Sequence, residues 1–269
     1  MSKDIVVVIP LHEFNEEVKV MLGNAIYSVP LKYKIFISTT HNLVENTDLN
    51  KFVEEFVSKG VNVSLVYEDS NSDAYNKSDF CTLVNNGSKV GHEWFTVLEF
   101  DDTYNSIWFD NVEKYMEYMP ETSAFLPLTE LVDYSNGKFI GYGNEAPWAS
   151  SFSEEIGVID NDCLQQYFDF YLTGGVFNSK DWNELGGLKP SIKLTFWYEF
   201  LLRMTHNGKK IYVIPKLGYN HMLNREKSLY DVYQKTVNSD ESQFWLNVAK
   251  QDYFYKTERD VKTYTYDKK

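Results

Sequence analysis

Residues 5 to 10 read Ile-Val-Val-Val-Ile-Pro, and this short stretch decides the fold class. Five consecutive apolar, β-branched residues with no polar alternation form a strand buried on both faces, as in a parallel sheet, and Pro10 closes the run. Working outward, Val18, Met21, Leu22, Ala25 and Ile26 fall at helical spacing between Glu16 and Ser28, with Pro30 as a stop. Tyr33 to Ser38 predicts a second strand, Leu49 to Lys59 a second helix ended by Gly60, and Val61 to Tyr67 a third strand. Asp79 to Val90 predicts a third helix, and Trp94 to Phe100 a fourth strand running into Asp101 and Asp102. Strands alternating with helices at this spacing imply a doubly wound, mostly parallel α/β sheet whose ligands sit at the carboxyl ends of the strands.

The second half changes character. Residues 134 to 162 are rich in Gly, Asn, Ser and acidic residues and read as a long loop or irregular subdomain, a length usually kept for binding. Gly174-Gly175 and Gly186-Gly187 bracket a short segment, Phe196 to Met204 predicts a buried helix, and Ile211 to Ile214 a strand ended by Pro215. Residues 225 to 256 read as helical, with Leu229, Val232, Tyr233 and Val237 on one stripe, and Lys256 to Lys269 as a loose polar tail. The expected division is therefore one domain over residues 1 to 225 and a helical extension with a polar tail over 226 to 269.

Composition narrows the function classes. The 269 residues carry 39 acidic and 26 basic side chains, a formal charge of −13 that repels a phosphate backbone. Only Arg203, Arg225 and Arg259 are arginines, so a broad nucleic-acid surface is disfavoured; the Lys- and Asn-rich usage suits an AT-rich genome, including a phage's. A hydrophobic content of 43% argues against disorder. Cys81 and Cys163 supply neither a disulfide framework nor a four-cysteine zinc site, which suggests a reducing compartment. The apolar run at the start is too short for a signal segment or a membrane span, so the expectation is a soluble, cytoplasmic protein.

The chemistry-bearing stretch is Glu99-Phe100-Asp101-Asp102 at the end of an apolar strand. Carboxylates clustered there suit a divalent cation bridging a diphosphate, with Mg²⁺ or Mn²⁺ preferred by hard oxygen ligands. A solvated acidic turn, with Asp102 capping the next helix, is the alternative that local sequence leaves open.

An ordered series of motifs adds to this reading. Val6-Val7-Val8-Ile9-Pro10, Val84-Asn85-Asn86-Gly87, Leu98-Glu99-Phe100-Asp101-Asp102, Leu172-Thr173-Gly174-Gly175-Val176-Phe177 and Leu185-Gly186-Gly187-Leu188 together resemble the inverting family 2 glycosyltransferases of the GT-A fold, over about residues 4 to 225. The chain departs from that pattern in four places. Leu11-His12-Glu13 follows Pro10 where the family has a Tyr-Asn-like pair, and Ser38-Thr39-Thr40 stands where an Asp pair meets the nucleobase. Val84 replaces an arginine, and Glu99 the first metal-motif aspartate.

The resemblance implies transfer of a sugar from a nucleotide-sugar donor, a uridine diphosphate sugar, to a hydroxyl acceptor with Mn²⁺ or Mg²⁺ as cofactor. Glu99, Asp101, Asp102 and His221 would hold metal and diphosphate; Pro10, Glu13, Thr39 and Asn85 would line the nucleotide; Gly174 and Gly175 would border the donor sugar. Glu199 would be the catalytic base, and an i,i+4 ion pair with Arg203 is its other reading. His12, His41, His92 and His206 read as structural, and Trp148, Trp182, Trp197 and Tyr198 lie in or near the acceptor half. Two rivals remain: a catalytically degenerate fold serving as a binding or structural module in a larger assembly, and a nucleotidyltransferase, whose glycine-rich loop after the first strand is absent here.

Overall fold

The computed structural model describes residues 4–67, 79–89, 91–237 and 239–253. The expected polar tail and Val90, the last residue of the third expected helix, lie outside the described residues. The first half alternates as read: β1 Ile5–Leu11, α1 Glu16–Ser28, β2 Lys34–Thr39, a short α2 His41–Val44, α3 Thr47–Ser58, β3 Val63–Val66, α4 Phe80–Ser88 and β4 Trp94–Val97. There follow β5 Thr103–Tyr104, α5 Trp108–Tyr118, β6 Thr122–Asp133, β7 Phe139–Gly143, β8 Val158–Ile159, α6 Asn161–Gln166, β9 Val176–Asn178 and α7 Ser179–Leu185. The chain then forms α8 Phe196–His206, β10 Lys210–Leu223, α9 Leu229–Thr236 and α10 Ser239–Tyr253.

These strands form one sheet in the order β3-β2-β1-β4-β9-β6-β10-β5, with β7 added to β6 and β8 to β10. β1 runs parallel to β2 and β4, and β2 to β3. β9 enters antiparallel between β4 and β6, and β6 runs parallel to β10. This is the α/β architecture that the opening strand implied. All seven residues of β1 are buried. Val7 and Ile9 face the cluster built with α1 and α3, while Val8 faces the opposite cluster with Val84 and Phe95. Each of these side chains contributes roughly 1.5–3 kcal/mol by leaving water. Local caps fix the helix starts: Asn15 accepts the Val18 N–H at α1, and Asp79 accepts the Thr82 N–H at α4.

Four expectations need correction. The stretch over 134 to 162, expected as a long loop or irregular subdomain, contains β7, which makes a hairpin with β6, and β8. The strand expected to stop at Pro215 continues to Leu223, because β10 bulges between Ile214 and Leu217 and leaves the proline outside the ladder. The single helix expected over 225 to 256 is two, α9 and α10. The ladder of β4 ends at Val97, so Glu99 lies in a turn beyond the strand. No helix among the described residues is long and apolar enough to cross a membrane.

Candidate active site

The turn after β4 assembles the acidic site. The Leu98 N–H still bonds the Val8 carbonyl at 2.9 Å, and the Asp102 N–H reaches back to the Glu99 carbonyl at 3.1 Å, which sets Glu99 and Asp102 on one side of a tight turn. β5 then pairs with β10 at Tyr219 and Asn220, bringing the next residue, His221, against Asp102. His221 Nδ1 lies 2.7 Å from Asp102 Oδ2, and the Met222 N–H donates to Asp102 Oδ1 at 2.7 Å. Potential ligand atoms of Glu99, Asp102 and His221 all lie within 4.8 Å of one another.

Asp101 does something different. Its Oδ2 accepts from Arg225 Nε at 2.6 Å, and Glu13 Oε1 lies 3.6 Å from Arg225 Nη1. The guanidinium, nearly buried, stacks 5.0 Å over the Phe100 ring. Of the four residues expected to hold metal, three converge and the fourth anchors a cation supplied from far along the chain.

The electrostatics follow from crowding buried carboxylates. Burial, and then the Asp102 charge, push the Glu99 carboxyl up to about 8. The same two causes raise Asp101, with Arg225 pulling the other way. Burial acts to lower His221, but Asp102, Glu99 and Asp101 outweigh it and lift the imidazole to about 9. His12 is lowered to about 4 by burial and by Arg225, so it is neutral at pH 7. Two carboxylates and an imidazole form a donor set that Mn²⁺ or Mg²⁺ accepts, and a cation would offset the burial and the Asp102 charge that raise the Glu99 carboxyl.

A cleft of about 420 Å³ opens beside this cluster. Glu99, Asp101, His221 and Arg225 line its polar end, Trp197 and Tyr198 of α8 one wall, and Tyr230 and Tyr233 of α9 another. Pro10 and His12 also line it. His12 therefore departs from the structural reading of its sequence. Glu13 does not line it and meets it through Arg225 and through His12, whose Nε2 lies 3.5 Å from Glu13 Oε1.

The remaining expected residues lie behind the surface and hold the chain. Thr39 is buried, and its hydroxyl donates to the Leu11 carbonyl at 2.9 Å, tying β2 to the end of β1. Asn85 clamps Leu188 with both amide atoms, donating to its carbonyl at 2.7 Å and accepting its N–H at 2.9 Å. Gly174 adopts φ +77°, and a Cβ there would come within 2.4 Å of the Tyr219 ring; a Cβ at Gly175 would come within 2.5 Å of Leu126. The effect of Gly174 reaches the site through Tyr219, whose hydroxyl accepts the Glu99 N–H at 3.0 Å.

Glu199 is 2% exposed and does not line the cleft. It accepts from Arg203 Nε at 3.0 Å and Nη2 at 2.7 Å, and Lys189 Nζ lies 2.7 Å from Oε1. Arg203 in turn donates to the carbonyls of Leu185 and Gly187. Of its two sequence readings, this geometry matches the ion pair. Sequence reasoning passed over Arg225, Tyr171 and Asp169, all of which line the cleft; the only local signal was the scarcity of arginine.

No protein-family model matches the sequence, and no curated protein matches it. Solved structures do match. S. aureus TarS 1-349 in complex with UDP-GlcNAc superposes with a TM-score of 0.66 at 12% identity, over 94% of this chain and 68% of that one. The same protein in complex with UDP gives 0.58 at 12%, over 91% and 78%, and S. aureus TarS gives 0.57 at 13%, over 86% and 38%. The chain thus spans well under half of that last structure. The likeness establishes a glycosyltransferase-like GT-A fold.

Proposed function

We propose that the chain is a metal-dependent glycosyltransferase that moves a sugar from a UDP-sugar to a hydroxyl acceptor. The observation that carries this reading is the convergence of Glu99, Asp102 and His221 beside Arg225 at the mouth of the cleft, in a fold that holds UDP-GlcNAc and UDP in TarS. Glu99, Asp102 and His221 would hold Mn²⁺ or Mg²⁺, which when bound neutralises the diphosphate. Arg225, oriented by Asp101 and Glu13, presents a fixed guanidinium to the same phosphates. Pro10 and His12 border the nucleotide end, and the aromatic walls from α8 and α9 border the sugar and acceptor.

Thermal melting with Mn²⁺ and a panel of nucleoside diphosphates tests the proposal. A ligand at a hundred times its dissociation constant should add about 2.7 kcal/mol of stability. A shift with UDP that needs Mn²⁺ supports the proposal, and no shift with any nucleotide defeats it. The engagement of Glu199 by Arg203 and Lys189 favours one second reading, a binding module without turnover. Such a module would show the same melting shift yet release no UDP from a UDP-sugar.

A further inference from the structure

The side chains lining the cleft include three acids, Glu99, Asp101 and Asp169. Glu99 belongs with Asp102 and His221, and Asp101 is engaged by Arg225. Asp169 is exposed to the cleft, and among the described residues no hydrogen bond or ion pair occupies its carboxylate. It is therefore the acid there with no other duty.

The segment that carries Asp169 is firmly held. Asn144, fully buried at φ 67°, donates to the carbonyls of Pro127 at 2.9 Å and Tyr171 at 2.8 Å, and accepts the Tyr171 N–H at 3.0 Å. Gly143 leaves room for the Tyr171 ring, since a Cβ there would come within 2.5 Å of it. That ring packs on His221, with centroids 5.4 Å apart. Asp169, two residues before Tyr171, lines the same cleft as Glu99, Asp101 and His221.

We propose that Asp169 is the catalytic base that takes the proton from the acceptor hydroxyl; the proposal rests on the transferase reading above. The acceptor O–H bond breaks as its proton passes to an Asp169 oxygen. The acceptor oxygen bonds to the anomeric carbon of the donor sugar. The anomeric C–O bond to the diphosphate breaks, its electron pair staying on the diphosphate oxygen that faces Arg225. Asp169 then returns its proton to solvent, which its exposure permits. No oxidant or reductant is required.

The test compares wild type, Asp169→Asn and Asp169→Glu in two measurements: UDP affinity in the presence of Mn²⁺, and UDP release from a panel of UDP-sugars with water or simple pyranosides as acceptor. Because Asp169 has no partner to lose, Asp169→Asn should melt within about 2 °C of wild type and bind UDP within about threefold. Its rate of UDP release should fall by roughly 10² to 10⁴-fold, the usual worth of general base catalysis. Asp169→Glu should recover part of that loss. Release by Asp169→Asn within threefold of wild type would overturn the proposal. A wild type that binds UDP with Mn²⁺ but releases none from any donor would overturn the base and leave the binding reading standing. Absence of binding would overturn both.

Discussion

Replacing Glu199 with Gln separates a structural carboxylate from a catalytic one. The side chain is 2% exposed, and its two oxygens take two hydrogen bonds from Arg203 and one ammonium from Lys189 at 2.7–3.0 Å. Glutamine keeps the shape but turns one acceptor into an N–H₂ donor facing the guanidinium. It also leaves Arg203, itself nearly buried, without its counter-charge. Removing one member of a buried ion pair costs about 3–5 kcal/mol. For a chain of this size that is a fall of about 6–20 °C in melting temperature. The surface i,i+4 pair that the sequence alone suggested would cost about 0.5 kcal/mol or less. Differential scanning calorimetry distinguishes the two. The double change Glu199→Gln with Arg203→Leu should recover part of the loss, because no buried charge is then left unpaired. UDP affinity should be unchanged in every folded variant. The reasoning is refuted if Glu199→Gln melts within 2 °C of wild type while UDP release falls a hundredfold.

Further outcomes follow from the polar end of the cleft. Arg225→Ala should weaken Mn²⁺-dependent UDP binding by about 10- to 150-fold, the worth of one charge-assisted hydrogen bond of about 1.5–3 kcal/mol, as read by titration calorimetry. Asp101→Asn should weaken it in the same direction by freeing the guanidinium. Without metal, Glu99 at about 8 and His221 at about 9 stand above their ordinary values of 4.5 and 6.5. The folded chain therefore holds more protons than the unfolded one across that span, and stability should fall as pH rises from about 5 to 9. Mn²⁺ competes with those protons, so the Mn²⁺-induced melting shift should grow over the same range. Glu99→Gln should flatten the metal-free slope.

What was legible in the sequence was local. The run Ile5 to Ile9 identified a two-faced strand because nothing polar interrupts it, and the helix over Glu16 to Ser28 followed from the spacing of its apolar residues, whereas the caps Asn15 and Asp79 came only from the structure. Glu99, Asp101 and Asp102 were visible as a cluster. Which cation each carboxylate meets was not, because Arg225 and His221 arrive from 124 and 119 residues away. Glu199 and Arg203 are one helical turn apart and could be paired on paper, whereas the approach of Lys189 and the burial of Glu199 and Arg203 depend on packing. β6 escaped notice with Pro127 in its middle, and β10 was cut short at Pro215. Their mutual pairing tolerates both prolines through register shifts that periodicity does not announce. Asn85, Gly174 and Gly175 stood out as motif residues, yet they shape the site from behind by holding Leu188, Tyr219 and Leu126.

The proposed transfer requires a cation that joins the Glu99, Asp102 and His221 cluster to a diphosphate beside Arg225, and titration calorimetry of UDP into the protein, with Mn²⁺ and with excess chelator, measures that requirement. Binding that appears with Mn²⁺ and vanishes with chelator is the predicted result, since a diphosphate placed among three carboxylates is repelled unless a cation bridges them. Equal UDP affinity in the two conditions, or no binding in either, would contradict it.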